Sequence, residues 1–152
     1  MATVKPIPDG YHTVTPYLVV KGANNLLNFL KQAFDAKEIL RMNRDNGDIM
    51  HAEVSIGDSR VMLSDTSEQF PHTIVNVFLY VTDSDSTYKK AMSAGAASLM
   101  EPQDQYYGDR MGGVKDQFGN QWWIGTHIED VSPEEMQRRQ KELQQQQQQA
   151  GS

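Results

Sequence analysis

Val14-Thr15-Pro16-Tyr17-Leu18-Val19-Val20-Lys21 returns 61 residues later as Val75-Asn76-Val77-Phe78-Leu79-Tyr80-Val81-Thr82. The same offset carries Ala33 onto Ala94, Gly47 onto Gly108, Asp48 onto Asp109 and Met50 onto Met111. After one inserted residue the step becomes 62, and Gly57-Asp58 falls on Gly119-Asn120. Self-similarity at a fixed period means that one supersecondary unit occurs twice. Two such units can build a pseudo-symmetric pocket where they meet.

The unit itself is legible. Thr13–Val20 is β-branched and aromatic and reads as a strand. A helix through Phe34, capped by Asn24 or Asn25, carries Leu26, Leu27, Leu30, Ala33 and Phe34 at helical spacing. Strands Ala36–Met42, Ile49–Ile56 and Arg60–Ser64 follow, with turns at Asn46-Gly47 and Gly57-Asp58-Ser59. The second copy runs strand Val75–Val81, helix Ser84–Ala94 ended by Gly95, strands Ser98–Glu101 and Met111–Lys115, turn Asp116–Asn120 and strand Gln121–Thr126. The expected fold is α+β: two tandem β-α-β-β-β modules, over 13–65 and 74–131, whose curved mixed sheets surround a concave pocket. Residues 1–12, with Pro6, Pro8 and Gly10, form an extended lead-in. Residues 132–152 form a C-terminal helix, started by Ser132-Pro133-Glu134-Glu135, that decays into the polyglutamine run Gln144–Gln149 and a disordered end.

Composition narrows the function. The chain has 152 residues, 38% hydrophobic and 22% charged, the make-up of one globular domain. A net charge of −6 and no cluster of lysine and arginine argue against a nucleic-acid partner. The absence of cysteine removes disulfide frameworks, thiolate metal sites and cysteine nucleophiles. No signal-like stretch and no apolar run of membrane length is present, so a cytoplasmic location and no membrane partner are expected. There is no Gly-x-Ser-x-Gly elbow and no glycine-rich phosphate loop; Gly112-Gly113 reads as a bulge or close approach. No cofactor is expected.

Alternation along the strands sorts side chains into two faces. Leu18, Val20, Met50, Ala52, Val54, Ile56, Val61, Leu63, Val77, Leu79, Trp122 and Ile124 form an apolar set, which the amphipathic helices must cover. The opposite, concave set holds Thr15, Tyr17, His51, Glu53, Arg60, Met62, Asn76, Phe78, Tyr80, Gln121 and Trp123. Aromatic lining with a few convergent polar groups describes a small-molecule pocket; the alternative is that these rings close two curved sheets against each other. Asp104-Gln105-Tyr106-Tyr107-Gly108-Asp109-Arg110 is a candidate lid, with Tyr107 able to stack on a ligand and Arg110 able to reach a carboxylate. His51 and Glu53 share a strand face, with Arg60 returning on the next strand nearest Ser55 and within diagonal reach of Glu53. This suggests an acid–base site with Glu53 as base, His51 beside it, and Arg60 or Tyr17 holding an anionic group. His12, His72 and His127 fall on loops or strand edges.

Paired modules of this kind resemble the vicinal oxygen chelate superfamily, which includes glyoxalase I, extradiol dioxygenases, and fosfomycin and bleomycin resistance proteins. Thr15-Pro16-Tyr17-Leu18-Val19-Val20, His51-Ala52-Glu53, Asp116-Gln117-Phe118-Gly119-Asn120-Gln121-Trp122-Trp123 and Thr126-His127-Ile128-Glu129-Asp130-Val131 look like its PhnB-like branch. The resemblance covers residues 13–131. It implies that metal ligands, where members have them, would stand at Thr15, Met62, Asn76 and Trp123. Threonine, methionine, asparagine and tryptophan do not make an oxygen and nitrogen site for a divalent cation. The function expected is therefore a metal-independent small-molecule-binding protein of the glyoxalase/bleomycin-resistance type, a homodimer binding its ligand through Tyr17, Arg60, Phe78, Tyr80, Tyr107, Arg110 and Trp123. The alternative is an enzyme of unassigned reaction, lyase, isomerase or dioxygenase-like, centred on His51, Glu53 and Arg60.

Overall fold

Each copy of the repeat builds one four-stranded sheet and one helix. The computed structural model describes residues 3–151. The first module contains β1 (Tyr17–Val20), α1 (Ala23–Phe34), β2 (Lys37–Asn43), β3 (Ile49–Ile56) and β4 (Ser59–Asp65). The second contains β5 (Asn76–Tyr80), α2 (Ser84–Ser93), β6 (Ala97–Asp104), β7 (Asp109–Lys115) and β8 (Gln121–His127), and α3 (Pro133–Ala150) follows it. The strand orders, β1-β4-β3-β2 and β5-β8-β7-β6, are the same pattern twice. The first strand of each module runs parallel to the last, and the other pairs are antiparallel.

Register refines the repeat. Tyr17 faces Met62 as Phe78 faces Trp123, so β1 and β4 map onto β5 and β8 at the 61-residue offset, and the step of 62 stays within the turn. On the neighbouring strand Glu53 faces Met62 while Gly113 faces Trp123, an offset of 60. The difference is a bulge: Met42 pairs with His51 but Asn43 pairs with Ile49, which leaves Met50 without a partner. Met50 is consequently 44% exposed and Ile49 1%, the reverse of what uninterrupted alternation gives. The other members of the apolar set on β1, β3, β4 and β8 are buried, as expected.

Two aspartates fix the frame. Gly22, not Asn24 or Asn25, caps α1, and it does so without a side-chain bond of its own. The cap comes from the far end of β4: Asp65 Oδ1 accepts from the Gly22 and Ala23 amides at 2.8 and 2.9 Å, and Oδ2 from the Ile49 amide at 2.7 Å. In the second module Asp116 accepts from the Phe118 and Asn120 amides, the Asn120 side chain and the Trp122 indole. Asn120 in turn accepts from the Val75 amide at the start of β5. The Asp116–Trp122 motif is thus a hairpin clamp.

The two modules share one core. Leu26, Leu27 and Leu30 of α1 are fully buried, and Phe34 packs on Trp122 of the other module's sheet with ring centroids 5.1 Å apart. β1 starts at Tyr17 rather than Thr13, because Pro16 has no amide to give the ladder; its carbonyl still accepts from Met62 at 2.9 Å. α3 begins at the Ser132 cap as expected but continues through the glutamine run to Ala150, with no buried residue. Glutamine is a good helix former, and nothing between Glu134 and Gln149 interrupts the helix. Among the described residues, no helix is long and apolar enough to cross a membrane.

Candidate functional site

On the first module's concave face, strand alternation and the hairpin bring a polar chain together. Tyr17 Oη lies 3.0 Å from His51 Nδ1, and His51 Nε2 lies 2.7 Å from Glu53 Oε2. Nε2 donates to the carboxylate, and the Tyr17 hydroxyl pairs with the other ring nitrogen. The other carboxylate oxygen accepts from the Tyr11 hydroxyl. Tyr11 was missed from sequence, since it sits in the Pro- and Gly-marked lead-in; that lead-in is a strap, turned by a Tyr11 amide bond to the Pro8 carbonyl of 3.1 Å, that crosses this face. The His51 and Glu53 side chains are only 23% and 13% exposed, whereas Tyr17 is 43% exposed. The outward end of the chain is therefore the Tyr17 phenol, and Glu53 lies beneath the strap.

Arg60 pairs across the sheet with Ser55, as expected, but makes no diagonal bond to Glu53. Both Glu53 oxygens already have partners. The guanidinium instead lies under the Tyr11 ring, 5.4 Å from its centroid.

The second module's concave face is a floor of aromatic rings. Gly113 faces Trp123 across the ladder, and a methyl group there would lie 2.3 Å from Trp123 Cζ3. A methyl group on Gly125 would lie 2.7 Å from Phe78 Cζ. These two glycines let the rings lie on the strands, while Gly112 lies against the β6 backbone, where a methyl group would be 3.1 Å from the Met100 carbonyl oxygen. Tyr80 stacks beside Phe78 at 4.8 Å, and its hydroxyl donates to Asp109 at 2.8 Å. That bond, with the Asp109 charge, raises the Tyr80 phenol above its ordinary value. Asp109 is 2% exposed and also holds His127 Nδ1 at 2.9 Å, while Asp130 holds Nε2 at 2.7 Å. Asp130 first and Asp109 second raise the His127 pKa.

Two expectations fail here. The segment 104–110 is not a lid but a tight hairpin turn: Gly108 donates to Gln105, and its own carbonyl accepts from Ile128 and Glu129. A methyl group on Gly108 would lie 2.1 Å from the Glu129 carbonyl oxygen, so the turn is seated on the chain beyond β8. Arg110 points to the helix side, because alternation on β7 sends Asp109 and Met111 to the concave face. It is held by Asp85 of α2 at 2.7 and 3.1 Å and by Asp104 at 3.0 Å. Tyr107 does stay near the concave face, donating to Met111 Sδ at 3.3 Å.

The positions implied for a metal do not fit one. Trp123 offers only a donor N–H and is laid against Gly113, and Met62, Asn76 and Thr15 do not complete a hard-ligand set. Among the described residues, no group of three or more His, Asp or Glu side chains is placed to hold a cation.

The structure therefore gathers Tyr17, His51, Glu53 and Tyr11 on one face, and Phe78, Tyr80, Trp123 and Tyr107 on the other. Between the strap, the β3–β4 turn and the free edge of β5 lies a groove of about 1290 Å³, to which Arg60, Phe78 and Tyr80 contribute. His51, Glu53 and Trp123 do not line it.

Comparison with known proteins agrees with this architecture. The chain is 35% identical over 135 residues to uncharacterized protein Mb0911c of Mycobacterium bovis, covering 82% of this chain and 89% of that protein. Among solved structures, TioX from Micromonospora sp. ML1 is similar with a TM-score of 0.67 at 26% identity, covering 77% of this chain and 99% of TioX. The putative 3-demethylubiquinone-9 3-methyltransferase, PhnB protein, from Bacillus cereus shares the fold with a TM-score of 0.58 at 20% identity, over 76% of this chain and 99% of that one. The family model for the Glyoxalase/Bleomycin resistance protein/Dioxygenase superfamily matches residues 11–124, and the chain belongs to that superfamily.

Proposed function

We propose that the protein binds a small aromatic molecule without a metal, as a homodimer in which the first module's concave face meets the second module's face of a partner copy. The observation that carries this reading is the exposed aromatic floor. Phe78 is 42% exposed, Tyr80 67% and, on the facing module, Tyr17 43%. Rings accommodated by glycines and left open to solvent are the signature of a surface awaiting a partner or ligand. Within one chain the two modules share only the groove that Arg60, Phe78 and Tyr80 line; a second copy can oppose the rest of each face. Planar ligands would stack on Trp123 and Phe78, with the Tyr17 hydroxyl as the polar contact. The wording of Thr15–Val20 and of Asp116–Trp123 supports placement near the PhnB-like branch, and a cytoplasmic location goes with this reading.

The neutral fluorophore N-phenyl-1-naphthylamine tests it. Saturable binding is expected, weakened about tenfold by Trp123→Ala, since a stacked aromatic pair contributes about 0.5–1.5 kcal/mol beyond area burial. Binding unaffected by Trp123→Ala would remove the aromatic floor from the site.

A second reading, an enzyme of unassigned reaction, is favoured by the hydrogen-bonded chain Tyr17–His51–Glu53–Tyr11. Glu53 would act as base after the strap withdraws Tyr11. Turnover of any substrate abolished by Glu53→Gln, with the fold intact, would favour it over simple binding.

A further inference from the structure

We infer that Arg60 is the anchor for an oxyanion on the ligand, so that the aromatic molecule taken by this protein is a carboxylate, sulfonate or phosphate. This rests on the binding function proposed above and adds the charge class. The chain has six arginines, and five are engaged. Arg41 binds Glu38 and Asn24, Arg44 the Asp65 and Thr66 carbonyls, Arg110 Asp85 and Asp104, Arg138 Glu135 and Glu142, and Arg139 Glu129 and Glu135. Of the six arginine side chains, that of Arg60 alone makes no hydrogen bond and no ion pair, and its Nε is buried without a partner. A buried donor without an acceptor is costly, and more so when it carries charge. The protein has acid to spare, with 20 aspartates and glutamates against 14 basic residues, yet none is set against this guanidinium.

The strap lies close against the guanidinium. The strap crosses it at Gly10, where a methyl group would lie 2.3 Å from Arg60 Nη2, and the Tyr11 ring covers it. Glu53, the nearest acid on the adjoining strand, is occupied by Tyr11 and His51 and so does not neutralise it. Arg60 lines the same groove as His12, Phe78 and Tyr80. Phe78, which pairs with Trp123 on the aromatic floor, also reaches this groove, so an anionic aromatic compound stacked on Phe78 can place its oxygens on Arg60. Planar bidentate recognition of an oxyanion is what a guanidinium does best.

The test uses two fluorophores of matched ring system on the full chain: 8-anilinonaphthalene-1-sulfonate and the neutral N-phenyl-1-naphthylamine. The sulfonate is expected to bind wild type about tenfold or more tightly than the neutral probe, as charge-assisted hydrogen bonds imply. Arg60→Met should erase that preference by weakening the sulfonate at least tenfold more than the neutral probe, and Arg60→Lys should restore part of it. Equal affinity of wild type for both probes overturns the inference, and it does so even if Arg60→Met fails to fold. Equal loss of both probes in a folded Arg60→Met also overturns it. Binding of neither probe defeats the binding function itself, and the inference with it.

Discussion

Gly113→Ala is the sharpest test of the aromatic floor, because it adds one methyl group and changes nothing else. The added carbon would lie 2.3 and 2.4 Å from Trp123 Cζ3 and Cε3, far inside van der Waals contact. Gly113 sits in the middle of β7, paired with Trp123 on β8, and needs no left-handed backbone, so alanine's ordinary conformational preferences are not at issue. The ring must tilt off the strand or the strand must shift. Overpacking of this kind costs about 1–3 kcal/mol. For a chain of this size that is a drop in melting temperature of about 2–12 °C. Trp122 is fully buried and should keep its emission, so a red shift or quench in the variant reports on Trp123. Binding of N-phenyl-1-naphthylamine should fall together with the emission change. A melting temperature within one degree of wild type, with unchanged tryptophan emission, would refute the placement of the ring on Gly113.

Other consequences are equally direct. Asp65→Asn replaces an acceptor of three backbone amides and should cost about 2–4 kcal/mol in chemical denaturation. Burial alone would raise the Asp65 carboxyl, but the Ala23, Ile49 and Gly22 amides and Arg44 outweigh it and hold it below the usual aspartate value. Its stabilising contribution is therefore complete above the unfolded-state value and lost as pH falls through the folded one, so the acid limb of the stability curve should flatten in Asp65→Asn. His127 should titrate by NMR above the usual histidine midpoint, and Asp130→Asn should bring the midpoint down; because the folded value is raised, its contribution is present at low pH and lost as pH rises through it. Glu53→Gln should destabilise by about 1 kcal/mol through the Tyr11 and His51 bonds and leave the neutral probe's affinity within twofold; a tenfold loss of affinity with an unchanged melt would move Glu53 into the site.

The fold was legible because two independent patterns coincide in the sequence. The 61-residue echo gave the modules, and strand alternation gave the faces; Tyr17 opposite Met62 and Phe78 opposite Trp123 realise both. Alternation misled at Met50, where a bulge advances the register by one, and no residue type marks that position. The cap of α1 was misassigned because local sequence favours a neighbouring asparagine, whereas Asp65 arrives from 42 residues away. The site was less legible. Arg110 looked free because its partner Asp85 lies on a different element, 25 residues distant. Tyr11 was overlooked because strap residues carry no periodicity; what could have revealed it is an isolated aromatic in a Pro- and Gly-rich segment, a ring with nothing local to pack on.

Complementation between variants tests most directly whether two copies assemble each cleft. Tyr17→Ala damages the first module's face and Trp123→Ala the second's. Each variant homodimer should bind N-phenyl-1-naphthylamine weakly, because every cleft carries one lesion. When the two variants are unfolded together, mixed and refolded, a heterodimer gathers both lesions into one cleft and leaves the other intact. About half of the refolded dimers should regain one high-affinity cleft of wild-type strength. No recovery of high-affinity binding in a mixture shown to contain heterodimers, or a protein that binds at full strength as a monomer, would contradict it.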